Sequence, residues 1–329
     1  MADVALFGAG RMGLTHAVNI AESAHGRLRY VVDPNEETAA RVAARTGALV
    51  AEADRALADP DISAVVIATP TSTHAELIER AAASAKAILC EKPVDLSLDR
   101  ADGAIAAAAK ASVPLCVGFQ RRFDPDLRAL HRQVRQNRIG IVQTLRITSR
   151  DPAPPPPGYL RQSGGLFRDM MIHDLDTACW LMGARPVTVH AMGAAIADPW
   201  IADFDDVDTA VVALRFADGR ICTVENTRRC VYGFEQRVEL FGAEGSLTVG
   251  AAPLVRTERR TAGVLTLSAS PPDARSRYAV AYREEIHHFL EVADGRATPE
   301  VDGSAGRLAL ALADAAERSW RTGRPVDPT

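Results

Sequence analysis

A glycine fingerprint wedged between an apolar run and an amphipathic one constrains this chain more than any other feature. Val4–Phe7 reads as a strand and Met12–Glu22 as a helix, with Gly8-Ala9-Gly10-Arg11-Met12-Gly13 at the junction. Alone, a Gly-x-Gly-x-x-Gly match is weak. Directly after a strand and opening a helix, it specifies the first βα turn of a dinucleotide-binding fold. Gly8 permits the tight turn, Gly10 lets a pyrophosphate reach the backbone, and Gly13 lets the helix pack on the strand. The first turn, with Arg11 and Met12, offers N–H groups and positive partial charge to the phosphates. Asp33 ends the second apolar run, 20 residues past Gly13. A carboxylate there accepts from the adenosine ribose hydroxyls and repels a 2′-phosphate. Pro34, Asn35 and Glu36 supply no cation for such a phosphate. The expected cofactor is NAD rather than NADP.

The rest of the first third repeats the alternation. Leu28–Val32, Val65–Ala68, Ala87–Cys90 and Leu115–Val117 are short apolar runs, and Glu36–Arg45, Thr73–Ala83 and Leu98–Ala109 are Ala-rich and amphipathic. This pattern predicts βαβ units, a parallel sheet with helices on both faces. After Gly118 the character changes. A helix near Asp126–Arg135 precedes a strand at Val142–Ser149, then a Pro-rich loop at Asp151–Gly158 that lacks the N–H groups of a central strand. A helix from about Phe167 to Leu181 stops near Gly183. Val187 to Leu267 is β-rich, with turns at Asp218-Gly219 and Glu244-Gly245. Within it, Val207–Phe216, Arg220–Asn226 and Arg237–Phe241 are expected to be neighbouring antiparallel strands. Helices near Arg277–Asp294 and Ser304–Thr322 follow. The expected fold is α/β: a Rossmann dinucleotide-binding domain in residues 1–120, then an α+β domain in residues 121–329 on an open, mainly antiparallel sheet. The last helices are free to pack back on the first domain.

Bulk properties exclude several classes. A length of 329 residues suits two domains. Charged residues make up 24% and the net charge is -4, which gives no reason to expect nucleic acid or an anionic membrane as partner. No apolar run approaches the roughly 20 residues that span a bilayer. The N-terminus enters a strand pattern directly, so a cytoplasmic location is expected. The five cysteines, Cys90, Cys116, Cys179, Cys222 and Cys230, are odd in number and include no Cys-x-x-Cys pair, so neither a disulfide framework nor a thiolate zinc site is indicated. No metal site is expected. His16, His25 and the adjacent His287-His288 read as structural.

One polar stripe stands out. Asp169 and His173 are four apart on a predicted helix and share a face, which Asp176 extends. The same helix is otherwise apolar, with Met170, Met171, Ile172, Leu175, Ala178 and Trp180. Burying such a stripe is costly without a purpose.

Glu91-Lys92-Pro93 at a strand end, together with Ala68-Thr69-Pro70 and His74, resembles the Gfo/Idh/MocA oxidoreductases, and the likeness runs over essentially the whole chain. Within that family the chain looks most like the inositol 2-dehydrogenases. The segments that carry this are 118–124 (Gly-Phe-Gln-Arg-Arg-Phe-Asp), 149–156 with its proline run, 164–176 around Arg168-Asp169-Met170-Met171-Ile172-His173-Asp174, and 226–233 from Asn226 to Gly233. Some members carry His and Asn where this chain has Ser149 and Asp151, a departure that bears on which isomer is bound.

The resemblance implies oxidation of a secondary alcohol by a Lys92, Asp169 and His173 triad. His173 would exchange the hydroxyl proton, its pKa lying near working pH. Lys92 would hydrogen-bond the reacting oxygen, and Asp169 would bind substrate and orient Lys92 or His173. It also implies that Thr69, Pro70, His74 and Glu91 lie beside the cofactor, that Arg122 and Tyr232 line the substrate pocket, and that Asp151 and Asp176 add polyol ligands. The implied substrate is an uncharged cyclic polyol, foremost myo-inositol oxidised to 2-keto-myo-inositol. Another inositol isomer, an aldose, or NAD-dependent glycoside cleavage are the alternatives. A non-enzymatic NAD-binding regulator would lack the triad. Asp151, Asp169, Asp174 and Asp176 disfavour a phosphorylated sugar. The resemblance further implies a homotetramer that packs through its open sheets.

Overall fold

The computed structural model describes residues 1–250, 258–261, 264–267 and 270–328, so parts of the β-rich stretch expected to run to Leu267 lie outside the described residues. The first part of the chain alternates as β1 (Ala2–Phe7), α1 (Arg11–Ala21), β2 (Gly26–Val32), α2 (Glu36–Thr46), β3 (Leu49–Val50), α3 (Ala53–Ala58), β4 (Ala64–Ile67), α4 (His74–Ala83), β5 (Ala87–Glu91), α5 (Leu98–Lys110) and β6 (Leu115–Gly118). The six strands form one parallel sheet in the order β3-β2-β1-β4-β5-β6. Strands covered on both faces must be apolar throughout, and all four residues of β4 are fully buried. β3 and α3 are too short to show a period, and the sequence does not announce them. Elsewhere the helix ends have local causes. Asn35 caps α2 by accepting from Thr38 N at 2.9 Å, and Gly47 closes it at φ 75°. The strand order reverses between β1 and β4, which opens a crevice at their carboxyl ends, the usual ligand position in such sheets.

The second part runs α6 (Pro125–Arg135), β7 (Val142–Arg150), α7 (Pro157–Ser163), a π-helical turn at Phe167–Met171, α8 (Ile172–Met182), β8 (Pro186–Ala194), β9 (Thr209–Phe216), β10 (Ile221–Thr227), β11 (Glu235–Gly242), β12 (Gly245–Val249), and the hairpin of β13 (Glu258–Thr261) and β14 (Val264–Leu267). Six strands form a sheet in the order β12-β11-β7-β10-β9-β8. β10 and β11, expected to be neighbours, are separated by β7, which is parallel to β10 and antiparallel to β11. The sheet is therefore mixed. A tight turn would have forced a hairpin, but the connection from Arg228 to Phe234 is long enough to pass over a strand. β7 also buries Leu145, Ile147, Thr148 and Ser149, as a central strand must. The Pro-rich loop is shorter than expected, because Pro157 starts α7 at a position where the missing N–H costs nothing.

α8 is held to this sheet by a buried carboxylate. Asp174 accepts from Ser149 Oγ on β7 at 2.7 Å and from Asn226 Nδ2 on β10 at 2.9 Å. All three side chains are fully buried. Side chains alternate along a strand, so the neighbours Arg150 and Glu225 point to the face that carries no α8.

Three helices follow: α9 (Ala274–Arg277), α10 (Ala279–Ala293) and α11 (Gly303–Thr322). The chain forms two compact units, Met1–Phe123 with Val280–Leu310, and Asp124–Ala279 with Ala311–Thr329. Residues 280–310 count with the first unit because Ile286, Phe289, Leu290 and Val292 of α10 share a core with Leu6, Leu28 and Val31. Gly26 makes room for this; a Cβ there would lie 2.6 Å from Leu290. In the second unit, α11 receives Ala191 N on Ser319 Oγ at 2.9 Å. Replacing Asp174 with Ala strands two buried hydrogen-bonding groups, and we expect a loss of about 2–4 kcal/mol. Urea unfolding of Asp174→Ala measures it, and an unchanged midpoint contradicts the anchoring role.

Candidate active site

In the first unit the three fingerprint glycines do different things. Gly8 leaves β1 at φ 93°, and a Cβ there would stand 2.5 Å from the Ala68 carbonyl oxygen. Gly13 is tighter, its would-be Cβ 1.9 Å from Gly8 O. Around Gly10 no heavy atom of the described residues beyond its chain neighbours lies within 4 Å of the Cβ position. Gly10 caps α1 without a side-chain hydrogen bond, and the first turn, with exposed Arg11 and half-buried Met12, holds no acidic residue. Its N–H groups thus stay available to an anion. Half-buried Asp33 clamps the loop, Oδ2 accepting from Ala9 N at 2.7 Å and Oδ1 from Asn35 N at 2.8 Å. Each oxygen keeps a lone pair for a ribose hydroxyl. An open glycine, an uncapped helix start and a carboxylate at the end of β2 fit the pyrophosphate and adenosine ribose of NAD.

The loops after β4 and β5 are joined from below. The Thr73 hydroxyl bridges Thr69 Oγ1 at 2.7 Å and the Pro70 carbonyl at 2.8 Å. His74, expected among the cofactor contacts, is instead 1% exposed, with Nε2 2.9 Å from Thr69 O and Nδ1 2.8 Å from Pro93 O. Burial pushes its pKa down, against the pull of these carbonyls. It is a brace that shapes the loops. Glu91 has a similar place: Oε1 meets His16 Nε2 at 2.7 Å and Oε2 accepts the Lys92 N–H at 3.3 Å. Burial pushes the Glu91 carboxyl up, but the His16 hydrogen bond and the Lys92 charge outweigh it and hold it below the usual carboxylate range. Lys92 follows β5 and is half-buried.

In the second unit the polar stripe begins in the π-helical turn, a conformation that recurs at functional sites. Asp169 Oδ1 accepts from Tyr159 Oη at 2.8 Å, and Oδ2 lies 3.6 Å from Arg228 Nη2. Arg228 is 1% exposed and also stands 3.6 Å from Asp206 Oδ2. Asp206 in turn accepts Leu166 N at 2.8 Å. Burial pushes the Asp206 carboxyl up while the Arg228 charge pulls it down, and burial prevails. His173 is half-buried one turn beyond Asp169. Arg168 turns elsewhere, to Asp314 at 2.7 Å and to Glu317 on α11. Asp176, expected to extend the Asp169 face, is 2% exposed. Tyr159, Asp206 and Arg228 were not singled out by the sequence. Nothing along the chain separates buried Arg228 from exposed Arg229, which pairs with Asp198.

Tyr232 is not brought to this group. Its hydroxyl lies between Glu235 and Arg150, the latter at 2.8 Å. Arg150 also reaches Glu225 at 2.6 Å, so the cluster sits on the sheet face away from α8. Asp151 follows β7, half-buried, its N–H on Thr227 O at 2.9 Å. Arg122, half-buried, belongs to the first unit. Among the described residues, no group of three His, Cys, Asp or Glu side chains is arranged to hold a metal ion, and no helix is long and apolar enough to cross a membrane. The glycine geometry yields a paired expectation. Gly10→Ala should leave the melting temperature without NAD unchanged yet weaken NAD binding at least about tenfold, whereas Gly13→Ala should lower the melting temperature itself. Thermal melts with and without NAD check both, and equal behaviour of the two variants contradicts it.

Comparison with known proteins agrees with this geometry. Residues 2–119 match the oxidoreductase family with an NAD-binding Rossmann fold, and residues 127–248 match the GFO/IDH/MocA C-terminal domain. An inositol 2-dehydrogenase of Rhizobium meliloti is 42% identical over 321 residues, 98% of this chain and 97% of its own. A scyllo-inositol 2-dehydrogenase (NAD(+)) of Bacillus subtilis is 36% identical, over 98% of this chain and 95% of its own. The crystal structure of a myo-inositol dehydrogenase from Corynebacterium glutamicum has a TM-score of 0.94 at 38% identity, covering 99% of this chain and 98% of that one. With both of its domains matched, the first by the NAD-binding Rossmann family, the chain belongs to the Gfo/Idh/MocA family of NAD-dependent oxidoreductases.

Proposed function

We propose that the enzyme oxidises a secondary hydroxyl of a cyclic polyol, foremost myo-inositol to 2-keto-myo-inositol. The observation that carries this is the 42% identity, over nearly the full length, to a relative named as an inositol 2-dehydrogenase. NAD, when bound, accepts the hydride. The chain's own residues handle the proton and the oxygen. His173 takes the hydroxyl proton, Lys92 hydrogen-bonds the oxygen as negative charge develops on it, and Asp169 binds a substrate hydroxyl and orients its partners. Asp151 and Arg122 are the further hydroxyl ligands in this reading. Asp176 and Tyr232 drop out of it, since one is buried and the hydroxyl of the other is engaged by Arg150 and Glu235.

NADH formation with myo-, scyllo- and chiro-inositol and a set of aldoses tests the substrate. We expect the inositols, led by myo-inositol, to reduce NAD. Reduction by an aldose with every inositol ignored overturns the substrate while leaving the dehydrogenase, and sugar release without NADH points to glycoside cleavage. With the best substrate, His173→Ala should lower kcat by roughly 10²–10⁴-fold with NAD affinity retained. A near wild-type kcat assigns the proton to another group.

The same reading includes a homotetramer in the cytoplasm. Five buried free thiols suit a reducing compartment. On the sheet face away from α8, Met192, Val211, Ile221 and Phe241 are exposed at 66%, 40%, 47% and 50%, an apolar surface that a second copy would cover. Light scattering should give four copies, and a stable monomer refutes it.

A further inference from the structure

We propose that Arg228 is a positioning residue acting through Asp169: it supplies the buried positive charge against which Asp169 stays anionic and aimed, with Asp206 fixing the guanidinium from the other side. The inference rests on the role given to Asp169 above. A guanidinium that is 1% exposed is costly unless its charge is used. Its Nε, Nη1 and Nη2 atoms have no hydrogen-bond partner among the described residues. What it has is two carboxylates, each 3.6 Å from Nη2. The carboxylates of buried Asp206 and half-buried Asp169, beside one cation, repel each other, and either alone gains more from the cation than the pair can share.

The other charged groups nearby have separate commitments. Tyr159 of α7 donates to Asp169 Oδ1. Arg168, in the same π-helical turn, faces Asp314 and Glu317 of α11. His173 stands one turn on, in α8. Asp208, whose carbonyl accepts Arg228 N at 2.8 Å, spends its carboxylate on Ile196 N, Asp198 N and the Thr209 hydroxyl. Arg229 is taken by Asp198. Arg228, by contrast, stands within ion-pair distance of Asp169. Asp206 is tied to the N–H of Leu166 immediately before the π-helical turn, and Gly165, at φ 80°, packs where a Cβ would stand 2.9 Å from Asp206 Oδ1. The guanidinium therefore links the backbone that launches the turn to the side chain the turn presents.

The test follows the Asp169 carboxyl by NMR in the NAD-bound, full-length enzyme labelled with carboxyl-13C aspartate, its signal assigned by loss in Asp169→Asn. In Arg228→Gln the titration midpoint should rise by about one pH unit or more, and in Arg228→Lys by less. Asp206→Asn, which leaves Arg228 to Asp169 alone, should lower it, and this variant decides the matter if Arg228→Gln does not fold. The acid limb of kcat should move with the midpoint. A midpoint unmoved in Asp206→Asn and in a folded Arg228 variant overturns the proposal, whatever happens to activity. If the midpoint moves but no polyol is oxidised by the wild type, the reading of function fails and the role of Arg228 toward Asp169 stands.

Discussion

The contact between Gly13 and the Gly8 carbonyl is the constraint on which the first unit depends. With room for no Cβ at Gly13, α1 sits directly against the turn that leaves β1. That closeness brings the uncapped helix start to the carboxyl edge of the sheet, where the strand order reverses. Asp33 then fixes the turn from β2, one carboxylate oxygen on Ala9 N and the other on Asn35 N. His74 and Glu91 extend the same logic to the loops after β4 and β5. Each is a titratable group held by backbone or by a buried neighbour, and each shapes a loop that carries exposed or half-buried site residues.

In the second unit buried charge takes the part that glycine plays in the first. Asp174 joins α8 to the parallel pair β7 and β10 through two hydrogen bonds, and the Arg228, Asp169 and Asp206 group joins the π-helical turn to the segments flanking β9 and β10. Apolar residues of similar volume often give equal or greater stability at such places. Retaining charges there makes sense where one of them faces a reacting ligand, as Asp169 does in the proposed chemistry. Within the π-helical turn Arg168 faces Asp314 and Glu317 of α11, while the adjacent Asp169 meets Tyr159 and Arg228.

How much of this was legible in the sequence depended on whether the determinant was local. The five longer strands of the parallel sheet and the longer helices between them follow from period and punctuation, because strands buried on both faces must be continuously apolar. β10 and β11 are consecutive along the chain but not adjacent in the sheet, because neighbouring strands in sequence need not pair when the connection can cross another strand. The site residues divide in the same way. Gly8, Gly10, Gly13 and Asp33 were readable because each answers a backbone requirement of one turn. The resemblance implies His74 beside the cofactor; that its ring is buried between Thr69 O and Pro93 O is a feature that leaves no trace in spacing. The resemblance implies a pocket-lining Tyr232; that its hydroxyl meets Arg150, which strand alternation sends to the opposite face of the sheet from Ser149, is not visible along the chain.

By itself, the sequence determined the NAD-binding dinucleotide fold of the first unit and the polar stripe of Asp169 and His173 on an otherwise apolar helix. These rest on interactions within a few residues of the chain or within one βαβ unit, where steric limits on glycine and the period of a helix act directly. Only the tertiary structure decided that β7 lies at the centre of a mixed sheet, that residues 280–310 complete the core of the first unit, and that Arg228 rather than Arg229 is buried beside Asp169. Those outcomes depend on which distant surfaces bury one another. The cost of desolvating a charge is set by its surroundings in space, and two adjacent arginines are equivalent until the fold encloses one and leaves the other in water.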